Sequence, residues 1–152
     1  MVLEGLNRLQ VYLAAQELAQ TVYKGVVPCL PPEEKWGLSS QIRRASASIP
    51  ANIAEGYGRY YYLETIRFAY IARGSLMELS SHFDLALSQD YISSQVYQIL
   101  NKTMDSLLKL IHGYIKYLRQ SKRGLNEPGH ASIAEAGLDY AVSEGDTADV
   151  EI

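Results

Sequence analysis

Six cations are interleaved with aromatic rings between Lys35 and Arg73. Lys35, Arg43, Arg44, Arg59, Arg67 and Arg73 are interleaved with Trp36, Tyr57, Tyr60, Tyr61 and Tyr62. An arginine fork donates paired hydrogen bonds to a phosphate, and an aromatic face stacks on an unpaired base, so this mixture suits single-stranded or structured RNA. The candidate nucleic-acid contacts are therefore Lys35, Arg43, Arg59, Tyr60 and Arg67. The same segment also suits a bundle interior, with Arg44 and Arg73 pairing with Glu55 and Glu78 between helices and the tyrosines lining rims or subunit interfaces. Arg73 and Glu55 fit the structural role better, whereas Lys35, Arg43 and Arg59 suit either.

Other chemistry has few residues to work with. The chain has no phosphate-cradling glycine loop, no His-Glu-x-x-His and no Glu-x-x-His on paired helices. Glu78 and His82 are four apart, but one such pair supplies two of the four ligands that a metal site needs. His112 falls on the charged side of its helix and His130 falls in the tail, so neither completes a nucleophile and base. The single cysteine, Cys29, has no partner for a disulfide or a metal cluster and is expected to be inert. We expect no cofactor and no catalytic activity.

The elements that must hold these residues are helical. Val11, Ala15, Leu18, Val22 and Val26 recur at three and four residues and predict a helix over about 4–27, stopped by Pro28, Pro31 and Pro32. A second is predicted over 33–56, opened by Glu33 and Glu34 at the positive end of its dipole. Ile42, Ala45, Ile49 and Ile53 share its apolar face, and Ala47, Ala51 and Ala54 share a small-residue face. Pro50 should kink it, with Ser46 and Ser48 satisfying the freed backbone groups. Gly56 and Gly58 permit a tight turn into a third helix over 60–88, where Arg73 points into the apolar stripe and Gly74 is expected to pack on the small face of the second. A fourth helix is predicted over 93–122. Its apolar face is read as Val96, Ile99, Leu100, Thr103, Leu107, Leu110, Ile111, Tyr114 and Leu118. Four helices joined by short links predict an all-α antiparallel up-down bundle over 1–123.

Charge divides the chain. Up to Arg123 there are 14 Lys and Arg against 10 acids, whereas from Gly124 onward there are seven acids and no Lys or Arg. Residues 124–152 are therefore expected to form a disordered acidic tail, with at most a transient helical turn around Ala131 to Leu138. Such an asymmetry suits a nucleic-acid-binding or self-masking protein. Neither a signal peptide nor an apolar run of bilayer length is present, so a cytoplasmic protein without a membrane partner is expected.

The run GLSSQIRRASASIPANIAEGYGR, followed by RFAYIARGSLMEL from Arg67 to Leu79, resembles the four-helix-bundle proteins encoded within intervening sequences of bacterial 23S ribosomal RNA genes. The likeness covers roughly Leu9 to Leu118. It implies an antiparallel bundle, a ring-like homopentamer and nucleic-acid binding. A related bundle is the accessory variability determinant of diversity-generating retroelements, a basic pentamer that partners a reverse transcriptase and binds RNA. The family pattern falls here on Gln41, Arg43, Arg44, Ser48, Pro50, Asn52, Glu55, Gly56, Gly58 and Arg59, and on Arg73, Gly74, Ser75 and Glu78. It gives a structural network of Gln41, Arg44, Asn52, Glu55, Arg73 and Glu78. Where the family commonly has a small polar residue after the Gly-x-Gly-Arg turn, this chain has Tyr60, Tyr61 and Tyr62. The first expectation is an oligomeric bundle that binds RNA or DNA through basic residues summed over a ring. The alternative is a protein-interaction scaffold that recruits a partner such as a reverse transcriptase.

Overall fold

Val11, Ala15, Leu18, Val22 and Val26 lie in one line, each 3% exposed or less, and anchor the first arm of an all-α structure. The computed structural model describes residues 2–120, and side chains from Glu4 onward. The predicted tail at 124–152 lies outside the described residues, as do the last two residues of the predicted fourth helix.

The first arm is not the single helix expected over 4–27. A short α1 (Val2–Leu6) is followed by a tight turn and then α2 (Gln10–Thr21). In that turn Arg8 and Leu9 donate to the carbonyls of Gly5 and Leu6, three residues back. Gly5 lies against Tyr57, whose hydroxyl would overlap any Cβ placed there, so the bend lets α1 reach the far end of the next helix. At its other end α2 widens into a π-helical turn over Val22–Val26, where the Val27 N–H bonds to the Val22 carbonyl. The spacing of the stripe explains the widening. Two successive four-residue steps, from Leu18 to Val22 to Val26, overshoot an α-helical face, and a five-residue turn brings Val26 back to the core. Pro28, without an N–H, then ends the arm in a 3₁₀ turn. The exposed Cys29 thiol donates to the Gly25 carbonyl at 3.2 Å.

The second helix starts later than predicted. Pro32–Lys35 form a separate 3₁₀ turn, and α3 runs Leu38–Gly58. Glu34 acts as a cap from outside the helix: its Oε2 accepts the Leu38 N–H at 2.8 Å. A side chain at Gly37 would place a Cβ 2.5 Å from that oxygen, so the glycine makes room for the cap. The helix is unbroken through the buried Pro50. The Ser46 and Ser48 hydroxyls do not turn to the backbone groups that Pro50 frees. The Ser46 hydroxyl donates to the Arg43 carbonyl at 3.0 Å, and Ser48 bonds across to the next helix.

Three residues link α3 to α4 (Tyr62–Ser88). The two helices meet at Gly56, where a Cβ would lie 2.7 Å from the Phe68 Cβ and 3.2 Å from the Thr65 carbonyl oxygen. The buried Thr65 hydroxyl donates to the Gly56 carbonyl at 2.9 Å. Close packing thus belongs to Gly56 and not to Gly74, which is exposed with nothing within 4 Å of an added Cβ. The small-residue face is likewise not where α4 packs: Ala47 and Ala51 are exposed. After Ser88 the Tyr91 N–H bonds to the Ala86 carbonyl and the Asp90 N–H to that of Leu87, while Asp90 takes φ 57°. This is a Schellman cap with aspartate in the position usually given to glycine.

The last helix, α5, runs Ser94–Gln120. Its buried line is Leu100, Met104, Leu107, Ile111, Ile115 and Leu118, rotated from the face predicted. Val96, Ile99 and Leu110 are exposed instead. Two apolar lines overlap on this helix, and periodicity alone does not say which one the neighbours cover. α3 lies between α2 and α4, and α5 closes the square between α4 and α2. One apolar core runs through all four long helices, and Leu63, Ile66 and Leu118 form a smaller cluster at the end where α4 begins and α5 ends. Among the described residues there is no strand.

Candidate nucleic-acid interface

α3 separates the candidate residues into two groups. Arg43 sits one turn inside its start and Arg59 just beyond its end, and sixteen residues at 1.5 Å each put them about 24 Å apart. The first group is self-engaged: the Arg43 guanidinium donates to the Lys35 carbonyl at 3.1 Å, and the Lys35 ammonium lies 5.1 Å from the centre of the Trp36 ring. Trp36 is 83% exposed. Acidic groups share this end, with Glu34 also accepting the Tyr91 hydroxyl at 3.2 Å. That carboxylate, after burial, helps push the Tyr91 hydroxyl above its ordinary range.

The second group forms a pole rich in tyrosine. Arg59 pairs with Glu55 one turn back and lies 4.8 Å from the centre of the Phe68 ring. Tyr60 is 92% exposed and meets Tyr61 edge to face, their ring centres 5.2 Å apart. Arg67, one turn into α4, is exposed and makes no ion pair or hydrogen bond among the described residues. Because α5 runs antiparallel to α4, it delivers Tyr114, packed on the Leu63, Ile66 and Leu118 cluster, and its neighbour Tyr117 to the same pole. Burial, with smaller contributions from Tyr62, Tyr57 and Tyr117, pushes the Tyr114 hydroxyl up to about 12. These two tyrosines were missed as part of the surface; the signal that points to them is the antiparallel order itself. Lys35 and Arg43 do not join Arg59, Tyr60 and Arg67 in one surface.

The polar network lies mainly between α3 and α4. Asn52 Nδ2 donates to the Ser48 hydroxyl at 2.9 Å and to the Ser48 carbonyl at 2.8 Å. Ser48 and Ser75 share a hydrogen bond of 2.8 Å, and Ser75 donates to the Ile71 carbonyl at 3.2 Å. Arg44 donates to Glu78 at 3.0 Å, an ion pair exposed enough to contribute under about 1 kcal/mol. Glu55 turns to Arg59 and not to an arginine on the facing helix, and the exposed Gln41 joins none of these bonds. Arg73 departs from expectation most. It is half-buried and makes no ion pair among the described residues. It lies instead near His112, whose pKa falls through burial and then through that guanidinium. His112 is accordingly not on an open charged face, and its Nε2 is buried without a hydrogen-bond partner. His82 Nε2 is 3.6 Å from Glu78.

Among the described residues no cluster of three or more His, Cys, Asp or Glu side chains is placed to hold a metal ion. No described helix is long and apolar enough to cross a membrane. What remains accessible is a set of cationic and aromatic groups at the ends of an antiparallel up-down four-helix bundle, and that architecture defines the class of protein. The chain belongs to the family of 23S rRNA-intervening sequence proteins, whose model matches residues 7–113. A crystal structure from Bacteroides thetaiotaomicron, of a protein with unknown function from the S23 ribosomal protein family, is similar in fold. Its TM-score is 0.65 at 24% identity, over 70% of this chain and 95% of that one. No curated protein matches the chain.

Proposed function

We propose that this chain is a non-enzymatic bundle that assembles into a ring, acts in the cytoplasm and binds RNA at its tyrosine-rich pole. The observation that carries the reading is the exposed, uncommitted Arg67 in the opening turns of α4, at the end of the bundle that also holds Arg59, Tyr60 and Tyr61. A phosphate can take the free guanidinium while an unpaired base stacks on an exposed ring, and neither contact requires breaking a bond within the bundle. Arg59 already balances Glu55 against the Phe68 ring and contributes by sharing its charge.

Assembly is supported by the outer face of α4. Ile71 and Leu85 are 50% and 48% exposed, Met77 is 45% exposed, and Gly74 lies between them with open space where a side chain would be. A mid-helix glycine costs about 1 kcal/mol against alanine. Close approach of a neighbouring subunit gives that cost a purpose. Summation matters because the first 123 residues carry a surplus of only four positive charges. Five copies around one axis, the number implied by the family likeness, multiply that surplus at the bundle, where the seven acids of 124–152 in each copy compete with RNA for it.

The test is a binding titration of the full chain against a single-stranded RNA at several salt concentrations, with light scattering for mass. Affinity should fall linearly in log–log form as salt rises, and Arg67→Ala together with Tyr60→Ala should weaken binding about tenfold or more. A flat salt dependence, or a monomer that binds nothing, would sink the proposal. Retention of a protein partner after nuclease treatment would favour the scaffold reading instead.

A further inference from the structure

The α5 face that the bundle leaves uncovered is patterned. Val96, Ile99, Leu110 and Tyr117 are 38%, 64%, 39% and 63% exposed. With Thr103, Ser106 and Gly113 they occupy positions 96, 99, 103, 106, 110, 113 and 117, which alternate steps of three and four along one stripe. Such a seam is what one helix offers to another segment. The hydroxyls on it are already satisfied: Thr103 donates to the Ile99 carbonyl at 3.0 Å and Ser106 to the Lys102 carbonyl at 2.9 Å. They add no polar group that needs an outside partner.

A row of charge borders the stripe. Lys102, Lys109 and Lys116 recur every seven residues, each one position before a stripe residue, and all three are exposed. None makes an ion pair among the described residues. The occupant must therefore be apolar enough to cover the stripe and acidic enough to meet the lysines. A second copy of the same face meets the second condition poorly, because the row holds three lysines against the single acid Asp105 and so brings mostly lysine to lysine.

We propose that residues 127–152 of this chain dock along this face of α5. That segment contains seven acids and no Lys or Arg, and it carries Ile133, Leu138, Tyr140 and Val142 as apolar contacts. Position also favours it. α5 ends at Gln120, three residues beyond Tyr117, so the segment leaves the bundle at one end of the stripe. From Tyr117 back to Val96 is about 32 Å along a helix, and the thirty-two residues from 121 to 152 cover that distance even if they are helical. Gly124 and the pair Pro128-Gly129 are the residue types that allow the chain to reverse. The segment shields an apolar stripe that would otherwise face water, and by lining up acids against Lys102, Lys109 and Lys116 it lowers the positive charge of α5. The match to the family ends at residue 113, so the docking segment lies outside the shared pattern while the stripe up to Gly113 lies within it.

Zero-length carbodiimide crosslinking of the full chain, read by mass spectrometry, tests this. Isotope-labelled and unlabelled copies are mixed so that crosslinks within and between chains are distinguished. Crosslinks from the acids of 127–152 should concentrate on Lys102, Lys109 and Lys116, within one chain. They should fall roughly tenfold in the Ile99→Asp, Leu110→Asp double variant, as expected for losing the burial of about one large apolar side chain. Both residues are exposed, and an unchanged circular dichroism spectrum would confirm that the variant is folded. A second pair, Lys109→Gln with Lys116→Gln, should free the same carboxylates without touching the stripe, read as loss of protection against carbodiimide-coupled glycine amide. Crosslinks spread equally to Lys24 and Lys35, or found only between chains, would overturn the proposal. So would a double variant that lowers the mass in light scattering while leaving the crosslinks intact, since the stripe would then belong to a second copy.

Discussion

Adding one methyl group at Gly56, and the same group at Gly74, tests the packing from opposite directions. At Gly56 the new carbon would lie 2.7 Å from the Phe68 Cβ and 3.2 Å from the Thr65 carbonyl oxygen, and neither atom is at the free end of a flexible side chain. Overpacking of this kind costs about 1–3 kcal/mol. Because Gly56 is in the last turn of α3, alanine recovers only part of the ~1 kcal/mol of helix propensity available in a helix interior. At Gly74, in the middle of α4 with nothing within 4 Å, alanine gains that propensity without a clash. Gly56→Ala should thus lose about 1–2 kcal/mol and Gly74→Ala should gain up to about 1 kcal/mol. Each kcal/mol moves the midpoint of thermal unfolding by roughly 2–8 °C for a chain of this size. Urea unfolding followed by circular dichroism, repeated at several protein concentrations, measures both. Concentration matters because a neighbour seated on Gly74 would be displaced by the methyl group, and the gain would then appear only at high dilution. A Gly56→Ala protein as stable as the parent, or a Gly74→Ala protein destabilised at every concentration, would refute the assignment of close approach to one glycine and open space to the other.

Replacing Glu34 with Gln should cost about 1 kcal/mol, because the weaker acceptor caps Leu38 less well and also meets the Tyr91 hydroxyl; the urea midpoint reports it. Two partly buried groups on α5 make stability depend on pH. Tyr114 has a folded pKa raised to about 12 from an ordinary value near 10, so its contribution is complete below pH 10 and is lost as pH rises toward 12; Tyr114→Phe should flatten that alkaline decline. His112 has its folded pKa lowered, so the unfolded chain takes up the proton first and stability falls as pH drops below about 6.5; His112→Gln should remove that acid limb in the same unfolding assay.

The buried stripes of α2 and α3 were legible because each helix has a single apolar line, and one line fixes one face. The fold class followed from four such helices and their short links. α5 was misread because two apolar lines run along it, roughly 100° apart, and the choice between them is made by α2 and α4, not by α5 itself. Gly56 and Gly74 look alike in sequence; only the register of α3 against α4 sets one against Thr65 and leaves the other outside. The same holds for charge. Arg44, Arg59 and Arg73 had several acids within helical reach, and side-chain packing chose Glu78 for the first, Glu55 for the second and the neighbourhood of His112 for the third. For the candidate interface, residue types were readable but grouping was not, since the length of α3 places Lys35 and Arg43 at the opposite end from Tyr60 and Arg67.

The widened turn at Val22–Val26 gives this arm an unusual tolerance to the loss of one residue. Removing one residue from an ordinary helix swings everything beyond it by about 100° and takes the buried face out of the core. This turn holds one residue more than an α-helical turn of the same rise, and Gly25 within it has open space around it. Losing Gly25 would close the turn to α-helical pitch while Leu18, Val22 and Val26 kept their places against α3. Deletion of one codon at this site would therefore pass through the fold almost unnoticed.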